Sequence, residues 1–570
     1  MERAAVIHNP DNQFFYSTDR DTFTVKLMVK AGDAAFVALH YRDKYIPVDK
    51  MDTRGTVPMR RAAGDGLHDY YEARLGVNML CVRYFFEIRD RAGQTVYYGN
   101  YAFYEAEPGQ IEEMFDCPQL SREEERYEAP AWAGGKVVYQ IFVDRFAADE
   151  ELPPREWYRQ ELNHLHSLHG SLRGITEKIP WLKELGVDVL YLTPIFRANT
   201  THKYDTVDYM QIDPDFGTGE DLEELTETAH AAGMYVVLDA VFNHTSRDFF
   251  AFQDLQEHQE NSRYRDWYYV DEFPVRGEIM PSYRSFSYYG GMPKLNCRNP
   301  EVREYIFGVV EYWTRECHVD GWRLDVADEI GRDFWREFRR RVRAVNPRVL
   351  IVGEIWHFNG SYLEGDQWDG VMNYHFTDAV KGFLLDKNLT AAAFGERLAF
   401  VRGRLKKEAI PCLWNLIDSH DTARFLTQAG EDKALLKLAA AIQLLLPGMP
   451  MIYYGDEVGM TGEKGSGCRR GMLWETERQD GELLSYYKKL LDIRRRYPAV
   501  GTGEAEWMPW EGADRVLSWR FNLENGEEMR VLLNAGEEPF SAGALTGKRD
   551  LLGECEFTGM AQPFSCHVLV

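Results

Sequence analysis

Eight short, almost uninterrupted apolar runs, separated by longer amphipathic stretches, dominate the middle of this chain. They are VVYQIF (Val137–Phe142), VDVLYLTP (Val187–Pro194), MYVVLDAV (Met234–Val241), DGWRLDVA (Asp320–Ala327), VLIVGEIW (Val349–Trp356), GVMNYHF (Gly370–Phe376), LWNLIDSH (Leu413–His420) and MPMIYYGDE (Met449–Glu457). A strand with one wet face alternates apolar and polar residues, whereas a run that stays apolar is a strand covered on both faces. The stretches between carry helical spacing, as in SLRGITEKIPWLKELG (Ser171–Gly186) and EDLEELTETAHAAG (Glu220–Gly233), the second closing on a glycine. Strand and helix alternating in this way predict an α/β chain whose parallel strands close into a (β/α)8 barrel, the TIM barrel.

The rhythm breaks once. Between the third and fourth runs lie DWYYVDEFP and YRSFSYYGGMPKLN, more chain than a βα loop needs. Residues about 245–300 therefore read as a subdomain inserted after the third strand. A chain of 570 residues also exceeds one ordinary domain. Residues 1–120 hold period-two segments (DTFTVKLMVK, AFVALHYR, YEARLGV, MLCVRYFFEIRD, TVYYGNYAFY) with Gly, Asp and Asn at the joints, the pattern of a β-sandwich. The polar stretch Cys117–Gly134 reads as a linker, and the barrel domain spans 121–498, ending in the helix LLSYYKKLLDIRRRYP (Leu483–Pro498). Short strands then return (VLSWRFN, MRVLLNA, CHVLV), so 499–570 form a second β domain.

The formal net charge of −25 speaks against nucleic acid or an anionic membrane as partner and leaves a neutral substrate unopposed. Aromatics reach 14%, which fits a large core or a surface that stacks rings on sugar C–H faces. The start, MERAAVIHNPDNQFFY, has no apolar core of signal-peptide length. The most apolar stretch, Leu438–Tyr454, is broken by Pro447, Gly448 and Pro450, so it reads as a buried helix and strand, not a membrane span. Eight scattered cysteines show neither C-x-x-C nor a disulfide framework, which points to free thiols in a cytoplasmic protein.

Four acids, Asp239, Asp325, Glu354 and Asp421, fall at or just beyond the ends of the third, fourth, fifth and seventh runs. In a barrel these strand ends share one rim, where catalytic groups sit. An acid beside an apolar run is costly to bury without a partner, so four together predict an acidic cleft. Arg323 lies two residues before Asp325 and faces the same side by strand alternation. A guanidinium there would lower the Asp325 pKa and keep it ionised, while crowded carboxyls would help hold Glu354 protonated. Two carboxyls in different protonation states are what cleavage of a glycosidic bond requires.

These acids sit in DAVFNH (Asp239–His244), GWRLDVADE (Gly321–Glu329), VGEIWH (Val352–His357) and LIDSHDT (Leu416–Thr422), with MPKLN (Met292–Asn296) between the first two. In this order the five segments resemble the signatures of the α-amylase family, glycoside hydrolase family 13. Their spelling is most similar to the cyclomaltodextrinase, neopullulanase and maltogenic-amylase branch. The resemblance implies a retaining hydrolase of α-1,4 links in cyclodextrins, maltooligosaccharides, pullulan or starch, with some transglycosylation. It makes Asp325 the nucleophile, Glu354 the general acid and then base, and Asp421 the acid that stabilises the distorted transition state. By the same resemblance His244 and His420 bind hydroxyls, and Tyr204 in HKYDTVDY (His202–Tyr209) stacks on the sugar at the cleavage site, with His202 beside it. Asp239 and Asn243 support the rim, and Phe286 and Trp356 form acceptor-side platforms. A predominantly glucan-transferring enzyme remains an alternative. So does a non-catalytic sugar-binding protein, though such a chain should have lost one of the acids.

Relatives often bind calcium through Asn and Asp in a segment like RFANGD and through an Asp in GGDL. The matching stretches here are RFAADE (Arg145–Glu150) and HGSLRG (His169–Gly174), with Ala148 and Ser171 in place of two ligands. Calcium wants six to eight oxygens, so no required metal or cofactor is expected. Asp328 stands where relatives often have Asn, and GEKGSGCRRGMLW (Gly462–Trp474) lacks the family's Asp-Pro step. The resemblance to this branch also implies a homodimer, the N-terminal domain of one chain narrowing the cleft of the other. The aromatics Phe14, Phe15, Tyr16, Tyr41 and Tyr45 are read as displayed for that contact.

Overall fold

Eight parallel strands form a ring in the computed structural model. They are Val138–Ile141, Val189–Leu192, Tyr235–Ala240, Gly321–Leu324, Leu350–Gly353, Gly370–Val371, Trp414–Asn415 and Met449–Tyr453. Each pairs with its sequence neighbour, the first also pairs with the eighth, and a parallel bridge from Met372 to Trp414 joins the sixth to the seventh. The ring is filled by Val138, Tyr191, Val237, Val352, Trp414 and Met451, which explains why the runs are apolar on both faces. The structure describes residues 1–570 apart from 11–12, 20–21, 48, 77–78, 80, 118–125, 150–151, 160, 278–279 and 359. Much of the stretch read as a linker thus lies outside the described residues.

The strands are shorter than the apolar runs. In the sixth run only Gly370–Val371 is strand, and a helix starts at Tyr374. In the seventh only Trp414–Asn415 is strand. Most of the remaining residues stay buried at the C-terminal rim without continuing the ladder, so apolarity overstates strand length here.

The helices follow the local chemistry. Ser171 caps Leu172–Leu185 by accepting from the Gly174 N–H, and Gly186 ends it in the left-handed conformation at φ 105°. Thr218 and Asp221 form a capping box on Gly219–Ala231. After the third strand the inserted segment carries the helix Phe250–His258 and isolated bridges His244–Lys294 and Tyr268–Leu295.

By contacts the chain divides into two units. One gathers Met1–Glu128 with Phe358–Asp366 and Ala392–Ile410; the other holds Ala129–His357, Gln367–Ala391 and Pro411–Val570. In the first, antiparallel sheets of four and six strands enclose Val25, Leu27, Leu39, Tyr84, Phe86 and Ile88. Phe15 and Tyr16, expected to be displayed, are buried instead: they lie in the edge strand Phe15–Ser17, and the Tyr16 hydroxyl accepts from the Lys407 N–H within the same unit. Tyr41 is half-buried, whereas Tyr45 is exposed. The C-terminal residues of the second unit form an antiparallel sheet centred on Val516–Asn522, Glu528–Asn534 and Ser565–Leu569. Among the described residues no helix is long and apolar enough to cross a membrane.

Candidate active site

Asp239, one residue before the end of the third strand, lies in register with Arg323 of the fourth, Asp325 follows the fourth by one residue, and Glu354 follows the fifth by one residue. Arg323 is fully buried and reaches all three. Its Nη1 donates to Asp239 Oδ1 at 2.9 Å and to Asp325 Oδ1 at 3.0 Å, and its Nη2 lies 2.9 Å from Glu354 Oε2. Asp421, on the turn after the seventh strand, accepts from Arg469 Nη2 at 3.1 Å and lies 3.1 Å from His420 Nε2.

The hydroxyl of Tyr204 donates to Asp239 Oδ2 at 2.9 Å and lies 2.6 Å from His420 Nε2, and its ring stacks parallel to that imidazole. Gln140 Nε2 donates to His420 Nδ1 at 2.7 Å, so the proton of the neutral ring sits on Nε2. Burial holds His420 well below its ordinary pKa and pushes His244 down to about 3. His244 Nδ1 faces the Asn243 amide at 3.4 Å, while its buried Nε2 has no protein partner. A buried nitrogen without a partner inside a pocket is a position prepared for a ligand polar group.

Burial is the largest influence on Asp325, Glu354 and Asp239, and it carries all three above their ordinary values. Arg323 pulls each back, so its expected lowering of Asp325 is present but outweighed. The spacing of Arg323 and Asp325 alone predicts that the guanidinium dominates; the depth at which Asp325 sits acts the other way and outweighs it. Three carboxyls around one cation titrate as a unit.

A cavity of about 460 Å³ opens over these groups, lined by His202, Tyr204, His244, Phe286, Asp325, Glu354, Trp356 and Asp421 among others. The structure thus brings eight of the eleven candidate side chains into one pocket wall; His420 is in contact with Asp421 of that wall, and Arg323 and Asp239 are joined to it through Asp325 and Tyr204. Trp356, 47% exposed, stacks on Tyr374 with centroids 3.8 Å apart, and Phe286 stacks on His244 at 5.0 Å. Arg469, Gln140 and Val326 were missed. Arg469 sits in a loop without periodicity, and nothing local marks Gln140 as more than a barrel-strand residue. A larger hollow of about 960 Å³ at the opposite rim is lined by Arg315, Arg340 and Arg341, near the ends of Pro300–Glu316 and Arg332–Val345. Those arginines complement the helix C-termini, and it contains no comparable acid cluster.

The α-amylase catalytic-domain model matches residues 140–499, and the model of the N-terminal immunoglobulin-like domain of α-amylases matches 1–121. The chain belongs to the α-amylase family. Its relatives include neopullulanase 2 of Thermoactinomyces vulgaris, 40% identical over 94% of this chain and 91% of that protein. Another is the intracellular maltogenic amylase of Bacillus subtilis (strain 168), 36% identical over 92% and 90%. A solved cyclomaltodextrinase superimposes with a TM-score of 0.93 at 34% identity, covering all of both chains. As a member of this family the protein is a glycoside hydrolase of the cyclomaltodextrinase, neopullulanase and maltogenic-amylase type.

The family's calcium position is poorly served by the residues present. Ser171 Oγ is occupied in capping its helix and donates to Asp149 Oδ1 at 3.1 Å, and Ala148 offers no side-chain oxygen. Among the described residues no group of three or more His, Cys, Asp or Glu side chains is arranged to hold a metal ion.

Proposed function

We propose that this α-amylase-family enzyme hydrolyses α-1,4-glucosidic bonds of cyclodextrins, maltooligosaccharides, pullulan or starch with retention of configuration. The observation that carries the reading is the single Arg323 guanidinium touching Asp325 with one terminal nitrogen and facing Glu354 with the other. A pair held by one fork suits the short carboxyl separation of retaining enzymes, roughly 5–5.5 Å. Asp325 attacks the anomeric carbon while Glu354 delivers a proton to the departing oxygen. Glu354 then takes a proton from water as it displaces Asp325. Asp421, His244, His420 and Tyr204 hold the hydroxyls of the distorted ring, His202 lies beside them, and Phe286 and Trp356 receive the acceptor sugars. Asp239 and Asn243 fix the rim. A sugar hydroxyl replacing water would give transglycosylation by the same steps.

Proton NMR of the first product formed should show the α anomer. A β anomer as the initial product would overturn the mechanism.

The reading extends to a homodimer without a required cofactor or metal, in the cytoplasm. Exposed Tyr45, 62% accessible, supports a partner contact on the N-terminal unit, although Phe15 and Tyr16 no longer do. Six of the eight free cysteines are buried, which suits a reducing compartment. Light scattering of the full chain should give twice the 66.1 kDa mass, and Tyr45→Ala should weaken the association. Dialysis against chelator should leave activity unchanged.

A further inference from the structure

The wall of the catalytic pocket continues past Phe286. His202, Phe286 and Met292 also line a second cavity of about 880 Å³, within the size range of small-molecule sites. Its other walls come from the loops after the first two barrel strands and from the inserted subdomain.

The lining is suited to a neutral, hydroxyl-rich ligand. Asn199 Nδ2 donates to Asp248 Oδ2 at 2.7 Å, and Arg247 Nη2 donates to Gln256 Oε1 at 2.8 Å. Asp248 and Arg247 are thus each held by an amide of the wall, and Thr200 and Ser246 add hydroxyls, Thr200 Oγ1 donating to Asp205 and Ser246 Oγ accepting from the Asp248 N–H at 3.2 Å. Two large apolar side chains stand at the same cavity: Leu165, 66% exposed, and Tyr289, 63% exposed.

Tyr289 is presented by a strained turn. Ser287 and Tyr288, neither of them glycine, are both left-handed, at φ 50° and 61°. The turn is closed by the Tyr289 N–H donating to the Phe286 carbonyl and the Met292 N–H donating to that of Tyr289. Side chains with a Cβ avoid this backbone, and such strain concentrates at ligand sites. Here it places Phe286 at both cavities and Tyr289 at the second, where its face is available to the C–H surface of a pyranose.

We propose that this cavity is a remote subsite, binding further glucosyl units of the same α-glucan whose bond is cut at Asp325 and Glu354, with Tyr289 as its stacking platform. The proposal rests on the hydrolase reading above. A hydroxyl- and amide-bearing wall beside an exposed tyrosine face favours sugar over a second copy of this chain as occupant.

The test compares full-length wild type, Tyr289→Ala and Leu165→Ser for kcat/KM on maltotriose and on maltoheptaose. Wild type should favour maltoheptaose by about tenfold, the scale of one aromatic contact. Both variants should lose most of that preference while maltotriose stays within about twofold, a change too small for loss of one such contact. Because the two substitutions lie on different loops, a folding defect in one does not decide the outcome. An unchanged preference in both variants overturns the proposal. So does an unchanged preference with a fall in solution mass, which makes the turn a subunit contact. If wild type cleaves neither sugar, the hydrolase reading fails instead. Calorimetric affinity for maltoheptaose then decides the subsite, and Tyr289→Ala must lower it for the proposal to stand.

Discussion

The backbone N–H of Val326 donates to Glu354 Oε2 at 3.1 Å. Val326 makes this contact from a left-handed backbone, φ 46° and ψ 45°, which a β-branched residue seldom adopts. The turn immediately after Asp325 therefore orients the proposed acid, and the strain sits one residue from the proposed nucleophile. The useful group is the peptide N–H, not the isopropyl side chain. Val326→Gly retains that N–H and adopts the conformation freely, so its kcat should stay within about tenfold of wild type, or ~1.4 kcal/mol. A much larger loss would show that the side chain itself shapes the site.

Buried carboxyls also predict how stability responds to pH. Asp325 and Glu354 are raised in the folded protein, chiefly by burial. The unfolded chain releases their protons near pH 4, so above that value the folded state binds more protons. Their contribution to stability therefore falls as pH rises from about 4 through the folded values. Asp325→Asn and Glu354→Gln remove this cost, and their Tm should gain on wild type between pH 5 and pH 8, the usual range of maximal stability, taken as an approximate window. Melting curves at several pH values check it. Variants that lose stability relative to wild type as pH rises would contradict the direction of the shifts.

His8 gives the N-terminal unit the opposite response. Its ring is buried, with Nδ1 2.7 Å from the Lys26 carbonyl and Nε2 2.7 Å from the Tyr84 hydroxyl. Burial lowers its pKa to about 3, against the raising effect of that carbonyl. Between about pH 3 and pH 6.5 the unfolded chain binds the extra proton, so stability falls as pH drops through this window. Hydrogen exchange in Thr22–Lys30 and Val82–Asp90 should accelerate toward pH 4.5 relative to its intrinsic pH dependence, and less so in His8→Gln. Equal acceleration in both proteins would show that another group carries the acid sensitivity.

The barrel and its acidic rim were legible because each depends on local pattern. Runs apolar on both faces marked strands, and Asp325 and Glu354 stood one residue past the ends of two of them. Tyr204, His244 and Trp356 came from segment resemblance rather than periodicity, and all three reach the pocket. What stayed hidden depends on contacts between distant residues or on backbone angles. Gln140 sets the His420 tautomer across 280 positions of chain, and Arg469 comes from an irregular loop. Phe15 and Tyr16 look displayed in a polar neighbourhood, yet a strand pairing and the segment 392–410 cover them. The balance between Arg323 and burial at Asp325 is likewise a matter of depth, which no spacing records.

The central claim is that Asp325 becomes covalently bonded to the sugar. It is tested most directly by incubating the Glu354→Gln variant with a fluorinated maltosyl fluoride, whose good leaving group bypasses the missing acid, and sequencing the labelled peptide by mass spectrometry. The account predicts one glycosyl adduct, on Asp325, absent from Asp325→Asn. An adduct on another residue, or release of fluoride at an undiminished rate from Asp325→Asn, would contradict it.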